Sequence, residues 1–254
     1  MRTLFVAGLL GISVLVGCVG VVDSSGGDPT NPNPNPNPNP NPNPDPNPNP
    51  NPNPTPMLAA TIDKATVATA LGDTQNLVIS LTGSGDFSGP VTLTPSVVDA
   101  GGAAVTGWTF TMTPATVTLA TNGTASVTLA VDIPSDTATL AATVKVAISA
   151  TGVTAPTLSS AFTVANIYTI HIKAGTGTGN HSGTFPSLLK LHTGAQLVFH
   201  NDDTIVHRIH ADGGFAHEPN DLQPGADYKV TPDGAATFYC HDHDDGIKRN
   251  LSLQ

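Results

Sequence analysis

The sequence predicts an all-β protein, with two sandwiches in series behind an extended, structureless linker. Three observations carry that expectation. Charged residues make up only 11% of the chain, while Thr, Ala, Val, Gly and Pro are plentiful, a mix that suits short strands and turns better than helices. From Met57 onward, short runs of alternating or β-branched residues recur, punctuated by Gly, Pro, Asn and Asp. Residues 19–56 carry no such runs and are low in complexity. A length of 254 residues allows one or two domains. The formal net charge of −10 argues against nucleic acid as a partner and favours solubility and attraction to basic partners.

Residues 1–17 begin with Arg2 and an apolar run from Leu4 through Val16, the pattern of an export signal and too short for an ordinary membrane span. The run ends Leu15-Val16-Gly17-Cys18, which resembles the bacterial lipobox. That resemblance implies cleavage before Cys18, diacylation of its sulfur, and a lipid anchor in a bacterial membrane, facing the periplasm or the cell surface. Cys18 and Cys240 are the only two cysteines. With Cys18 in the signal, an internal disulfide to Cys240 is not expected, and a thiol in an oxidising export compartment is better explained as bound to something. Residues 18–56 continue into an Asn-Pro repeat interrupted once by Asp45. Alternating prolines remove half the backbone donors and bias each preceding Asn toward extended conformations, so the segment is expected to be disordered and to sample polyproline II. At roughly 3.1 Å per residue, about 28 such residues reach on the order of 80 Å, a spacer between anchor and folded part.

Residues 57–165 read as a sandwich. Asn76 to Leu81, Val91 to Leu93, Trp108 to Met112, Val117 to Leu119, Ala125 to Val131, Ala141 to Ser149 and Ser160 to Val164 are the strand-like runs, and Thr121-Asn122-Gly123-Thr124 reads as a hairpin turn. About seven short strands at this spacing suggest an immunoglobulin-like sandwich. The stretch from Phe110 through Ser149 resembles bacterial Ig-like surface domains. No cluster of titratable side chains stands out in it, and Trp108 is expected in the core or at the domain edge, so a spacer or docking role is expected.

Residues 166–254 read as a second sandwich that carries the chemistry. Ile167 to Ile172 opens it as a strand, Leu188 to Phe199 supplies a strand pair with a turn near Thr193-Gly194, and Ala226 to Val230, Ala236 to Cys240 and Ile247 to Leu253 complete it. Cys240 and His243 lie three apart on a short loop between two of these runs, a thiolate and an imidazole suited to copper or zinc. Upstream, His207 shares the inward face of a strand with Ile209. Together His207, Cys240 and His243 make the His₂Cys set of a blue-copper site.

These residues also stand in a familiar order. Phe185-Pro186 through Leu189, Leu191, Gly194 and Val198-Phe199, then Asn201-x-Asp203-x-x-x-His207, then Leu222-x-Pro224-Gly225, then Tyr239-Cys240-x-x-His243 resemble a cupredoxin of the plastocyanin type over about a third of the chain. The resemblance implies a Greek-key β-sandwich holding one copper ion that cycles between Cu(I) and Cu(II). It also implies that the backbone N–H of Arg208 is a candidate donor to the Cys240 sulfur, and that His243 is the ligand nearest solvent. One feature departs from the family: the methionine that usually follows the loop histidine is missing, and Met1, Met57 and Met112 all lie outside this domain. Aligning on the basic residue Lys248 places Ile247 at the axial position, as a non-ligating side chain. The competing reading is that Asp244 or Asp245 folds back as an oxygen ligand.

There are nine histidines, more than one such site can use. His210 is out of phase with His207 and is expected to point to solvent. His171, His181, His192, His200, His217 and His241 are read as surface residues. Nothing suggests general acid–base or nucleophilic catalysis, so no enzyme activity is expected. The function expected is that of a tethered one-electron carrier, whose partner is a redox protein such as a c-type cytochrome. The aspartates around His243 (Asp242, Asp244 and Asp245) make a basic docking face on that partner the expectation. The alternatives are a copper-binding or delivery module, or a surface structural protein without electron transfer.

Overall fold

The computed structural model describes residues 53–176, 185–240 and 248–254. The export signal, Cys18, most of the linker, His181, His241, His243, Ile247 and the aspartates between them lie outside the described residues. The described residues form sixteen strands, all of them from Asn51 onward in one compact unit. None of these residues forms a helix long and apolar enough to cross a membrane. The chain is all-β, as expected.

The first nine strands are β1 (Met57–Ile62), β2 (Thr66–Ala70), β3 (Thr74–Ser84), β4 (Gly89–Asp99), β5 (Thr109–Thr113), β6 (Val117–Leu119), β7 (Thr124–Asp132), β8 (Ala141–Ala150) and β9 (Thr157–Ala165). They make two sheets, ordered β1-β3-β7-β5 and β2-β9-β8-β4-β6. Period-two alternation decides which side chains face inward: Leu77, Ile79 and Leu81 of β3 and Val127, Leu129 and Val131 of β7 are buried, while their neighbours along the strand are more exposed. Val144, Val146 and Phe162 fill the opposing sheet's inner face. Trp108 is a core residue, edge-on to Phe162 with centroids 5.5 Å apart. The Asn122-Gly123 turn is present but closes no hairpin, because β6 pairs with β4 in one sheet and β7 pairs with β3 and β5 in the other. Asn122 takes φ +54°, and its N–H donates to Phe87 O at 3.0 Å, so the turn carries the chain across the sandwich.

The remaining strands are β10 (Ile167–Ile172), β11 (Leu188–Leu191), β12 (Gln196–Asn201), β13 (Ile209–Asp212), β14 (Asp227–Val230), β15 (Ala236–Cys240) and β16 (Arg249–Leu253). Their sheets are ordered β10-β12-β14 and β11-β16-β15-β13. The expected strand pair over Leu188 to Phe199 is therefore two strands in different sheets, with Gly194 at φ +89° in the crossover between them. Phe185, Phe199 and Phe238 are buried and meet at centroid distances of 5.6–6.0 Å, a knot of aromatic rings between the sheets. Losing one such ring costs about 3–5 kcal/mol, so this cluster fixes the distance between the sheets that carry the site.

The sheets part between Ala165 and Ile167, and specific contacts tie the halves together. Leu71 N–H donates to Ile167 O at 3.1 Å, and Ser135 Oγ donates to Lys190 O at 2.6 Å. Tyr168 lies on Gly72, where a Cβ would fall 2.3 Å from its ring and φ is +78°, so only glycine fits. His192 bonds Asn166 through Nε2 at 2.6 Å, which makes it a structural contact at this joint.

Candidate metal centre

The matched stretch Asn201-x-Asp203-x-x-x-His207 folds as one interlocked loop. Asn201 is fully buried at the end of β12, and its side-chain amide donates to Ile205 O and Leu222 O, both at 2.9 Å. Its side-chain oxygen accepts the Asp203 N–H at 2.9 Å. Gly225 N–H donates to Asn201 O at 2.7 Å, which brings in the Leu222-x-Pro224-Gly225 stretch. His207 then pairs with Leu222 as an isolated bridge, N–H to O at 3.1 Å and 2.6 Å in the two directions. One buried amide thus sets the backbone on both sides of His207.

Asp203 sets its side chain. The carboxylate is buried, and its Oδ1 accepts N–H groups from Gly175 at 3.0 Å and Thr204 at 2.7 Å. Its Oδ2 lies 3.2 Å from His207 Nε2, and His207 is 0% exposed. An ionised carboxylate only accepts, so the proton of a neutral His207 sits on Nε2 and the lone pair on Nδ1. A carboxylate that orients a buried imidazole through one ring nitrogen is the kind of support that metal-ligating histidines commonly have.

Cys240 ends β15, fully buried, directly opposite Ile209 of β13. Residues opposite each other in an antiparallel pair share a face, and residues two apart on a strand do too. Ile209 and Cys240 therefore share an inward face, while His207 lies two residues before β13, off the strand that the sequence suggested, and pairs with Leu222 as an isolated bridge; all three are buried. Phe238, two residues before Cys240, lies on the same face and brings the aromatic knot up to the sulfur. The third expected ligand, His243, and the axial candidates Ile247, Asp244 and Asp245 fall outside the described residues. The donors that are described, one soft sulfur and one oriented imidazole, both buried, are of a kind that suits a soft or borderline cation such as copper or zinc.

Glu218 lies in the connection between β13 and β14, where no sequence motif points to it. It is 7% exposed, its Oε2 accepts the Ile209 N–H at 3.2 Å, and its own N–H donates to Ile209 O at 3.3 Å. Burial pushes its pKa above the ordinary glutamate value, and the Ile209 N–H partly offsets that. The folded chain thus holds this proton to higher pH than the unfolded chain does. The associated stability is full below the ordinary glutamate pKa and is lost as pH rises through the folded value. Thermal melts across that window should show the wild type losing stability relative to Glu218→Gln, which keeps an acceptor for Ile209. Parallel pH profiles for the two would contradict this.

The histidines read as surface residues divide. His210 is half-buried on the outer face, its ring 4.7 Å from that of its cross-strand partner Tyr239 and 4.2 Å from that of His217. The expectation of a solvent-directed side chain is right in direction and misses this cover. His171 and His200 meet across β10 and β12 beside Asp202. The His200-x-Asp202 spacing was readable, but the register that adds His171 was not.

No family model and no curated protein matches the chain. Among solved structures, a family 123 glycoside hydrolase from Clostridium perfringens is 14% identical over 48% of this chain and 31% of its own length, with a TM-score of 0.35. The chaperone DraB from E. coli is 12% identical over 77% of this chain and 96% of its own, with a TM-score of 0.29. The CupB2 chaperone of Pseudomonas aeruginosa is 14% identical over 75% and 97%, at 0.24. The chain thus spans about a third of the hydrolase, and scores this low say nothing of its function.

Proposed function

We propose that the chain is an exported, membrane-tethered electron carrier whose second sandwich is a cupredoxin-like domain holding one copper ion through His207, Cys240 and His243. One observation carries the proposal: His207 is fully buried and oriented through Nε2 by the buried Asp203, two residues before the strand whose first residue, Ile209, lies opposite the buried Cys240. Copper, when bound, supplies the one-electron couple. The chain's own residues supply rigidity and dryness. Asn201 and Leu222 lock the His207 backbone, Asp203 keeps its Nε2 proton in place, and Phe238 and Ile209 exclude water from the inward face. A ligand cage that moves little between oxidation states lowers the reorganisation that electron transfer requires. With no methionine in residues 166–254, a bound copper would lack a thioether donor, which would favour Cu(I) and raise the potential. Lipidation at Cys18 and the linker of residues 18–56 would let the domain reach partners at a distance from the membrane.

Redox cycling separates an electron carrier from a copper-delivery module. Membrane fractions carrying the full chain, loaded with copper, should exchange electrons repeatedly with a c-type cytochrome while the copper stays bound. The same fractions from cells making Cys18→Ala should lack the protein. Copper transfer to an acceptor without repeated turnover would favour delivery, and membrane retention of Cys18→Ala would remove the tether.

A further inference from the structure

We propose that His171, His200 and Asp202 form a second metal site, on the outer face of the β10-β12-β14 sheet, for a borderline divalent cation, zinc(II) or copper(II). The sheet geometry assembles it. Parallel register sets His171 beside His200, and Asp202, two residues beyond His200, falls on the same face. One nitrogen from each histidine and one oxygen of Asp202 all lie within 4.8 Å of one another. His171 Nδ1 is 2.7 Å from Asp202 Oδ2, and His200 Nε2 is 3.1 Å from Asp202 Oδ1. An ion bonded at about 2.0–2.2 Å to nitrogen and oxygen ligands needs donor atoms about 3–4 Å apart, so small side-chain movements suffice. Two imidazoles and a carboxylate select zinc or copper over the hard cations, and three protein ligands leave a fourth position for water.

A fourth residue orients the site. Asp227, the β14 partner of His200, has its Oδ1 2.6 Å from His200 Nδ1, and Lys229 Nζ holds the other oxygen of Asp227 at 3.1 Å. With the Nδ1 proton donated to Asp227, His200 turns its Nε2 lone pair toward the Asp202 carboxylate. Nε2 is then the nitrogen that His200 would offer to an ion held between it and Asp202. A carboxylate behind a histidine that faces a cation is the usual outer-sphere support of metal sites. His171 has 56% of its side chain exposed, and a shallow depression of about 350 Å³ lined by Thr169 and Val198 runs beside the cluster, so an ion reaches it from solvent. Asp202 and Asp203 are consecutive, yet Asp202 serves this outer face while Asp203 turns inward to His207.

The test is calorimetric titration of the full chain with zinc alone, in a Cys240→Ser background that removes the thiolate. One equivalent should bind. His171→Asn should abolish the event, and His200→Asn should do the same, with the strand signature in circular dichroism unchanged. Asp227→Asn should weaken it roughly 10–100-fold without moving the melting midpoint. The proposal is overturned if zinc fails to bind, if binding survives both histidine replacements, or if it is lost only on replacing His207.

Discussion

Replacing Cys240 with serine should remove the intense thiolate-to-copper absorption that one equivalent of Cu(II) gives with the full chain. The effect is expected to be complete, because the band is a transition from sulfur to metal and no other described residue offers a sulfur to the buried face. Cys240 is fully enclosed at the end of β15, so the smaller oxygen of serine removes contacts as well as the ligand. The sandwich is nonetheless expected to stay folded, since Phe199, Phe238 and Leu251 hold the core beside it. Colour that survives Cys240→Ser would refute the assignment of this residue.

Asp203→Ala should have the next largest effect, although Asp203 touches no metal in the proposal. Its loss strips acceptors from Gly175 N–H, Thr204 N–H and His207 Nε2–H in a buried loop. Each buried donor left without an acceptor costs about 1–3 kcal/mol, so a clear drop in melting temperature is expected. Copper affinity should fall roughly 10–100-fold, because His207 is free to turn or to change tautomer. Asp203→Asn keeps one acceptor of the same shape and should recover part of the affinity. An alanine variant that binds copper as tightly as the wild type would mean that His207 is not a ligand oriented by Asp203.

The strands were legible because alternation is local: the buried side chains of β3, β7 and β8 follow directly from every second residue being apolar. Pairing was not legible. Asn122-Gly123 and Thr193-Gly194 both look like hairpin turns, but a turn only reverses the chain, and the partner of each strand is chosen by burial across the whole sandwich. The Asn201, Asp203 and His207 spacing was legible as a motif, while its mechanism, an amide clamp and an oriented imidazole, needed the loop's hydrogen bonds. Glu218 and the His171–His200 pair were missed for the same reason. Each depends on a pairing that local alternation does not show, a loop folding back on Ile209 for the carboxylate and the β10–β12 register for the histidines.

X-ray absorption at the copper edge of the full chain, loaded with one equivalent of Cu(II), tests the central claim most directly. It reads the donor atoms themselves, independent of partner, potential or colour. The expected result is one short sulfur bond and two imidazole nitrogens, with the sulfur shell lost in Cys240→Ser and one imidazole lost in His207→Asn. A first shell of nitrogen and oxygen alone, unchanged by replacing Cys240, would contradict the account.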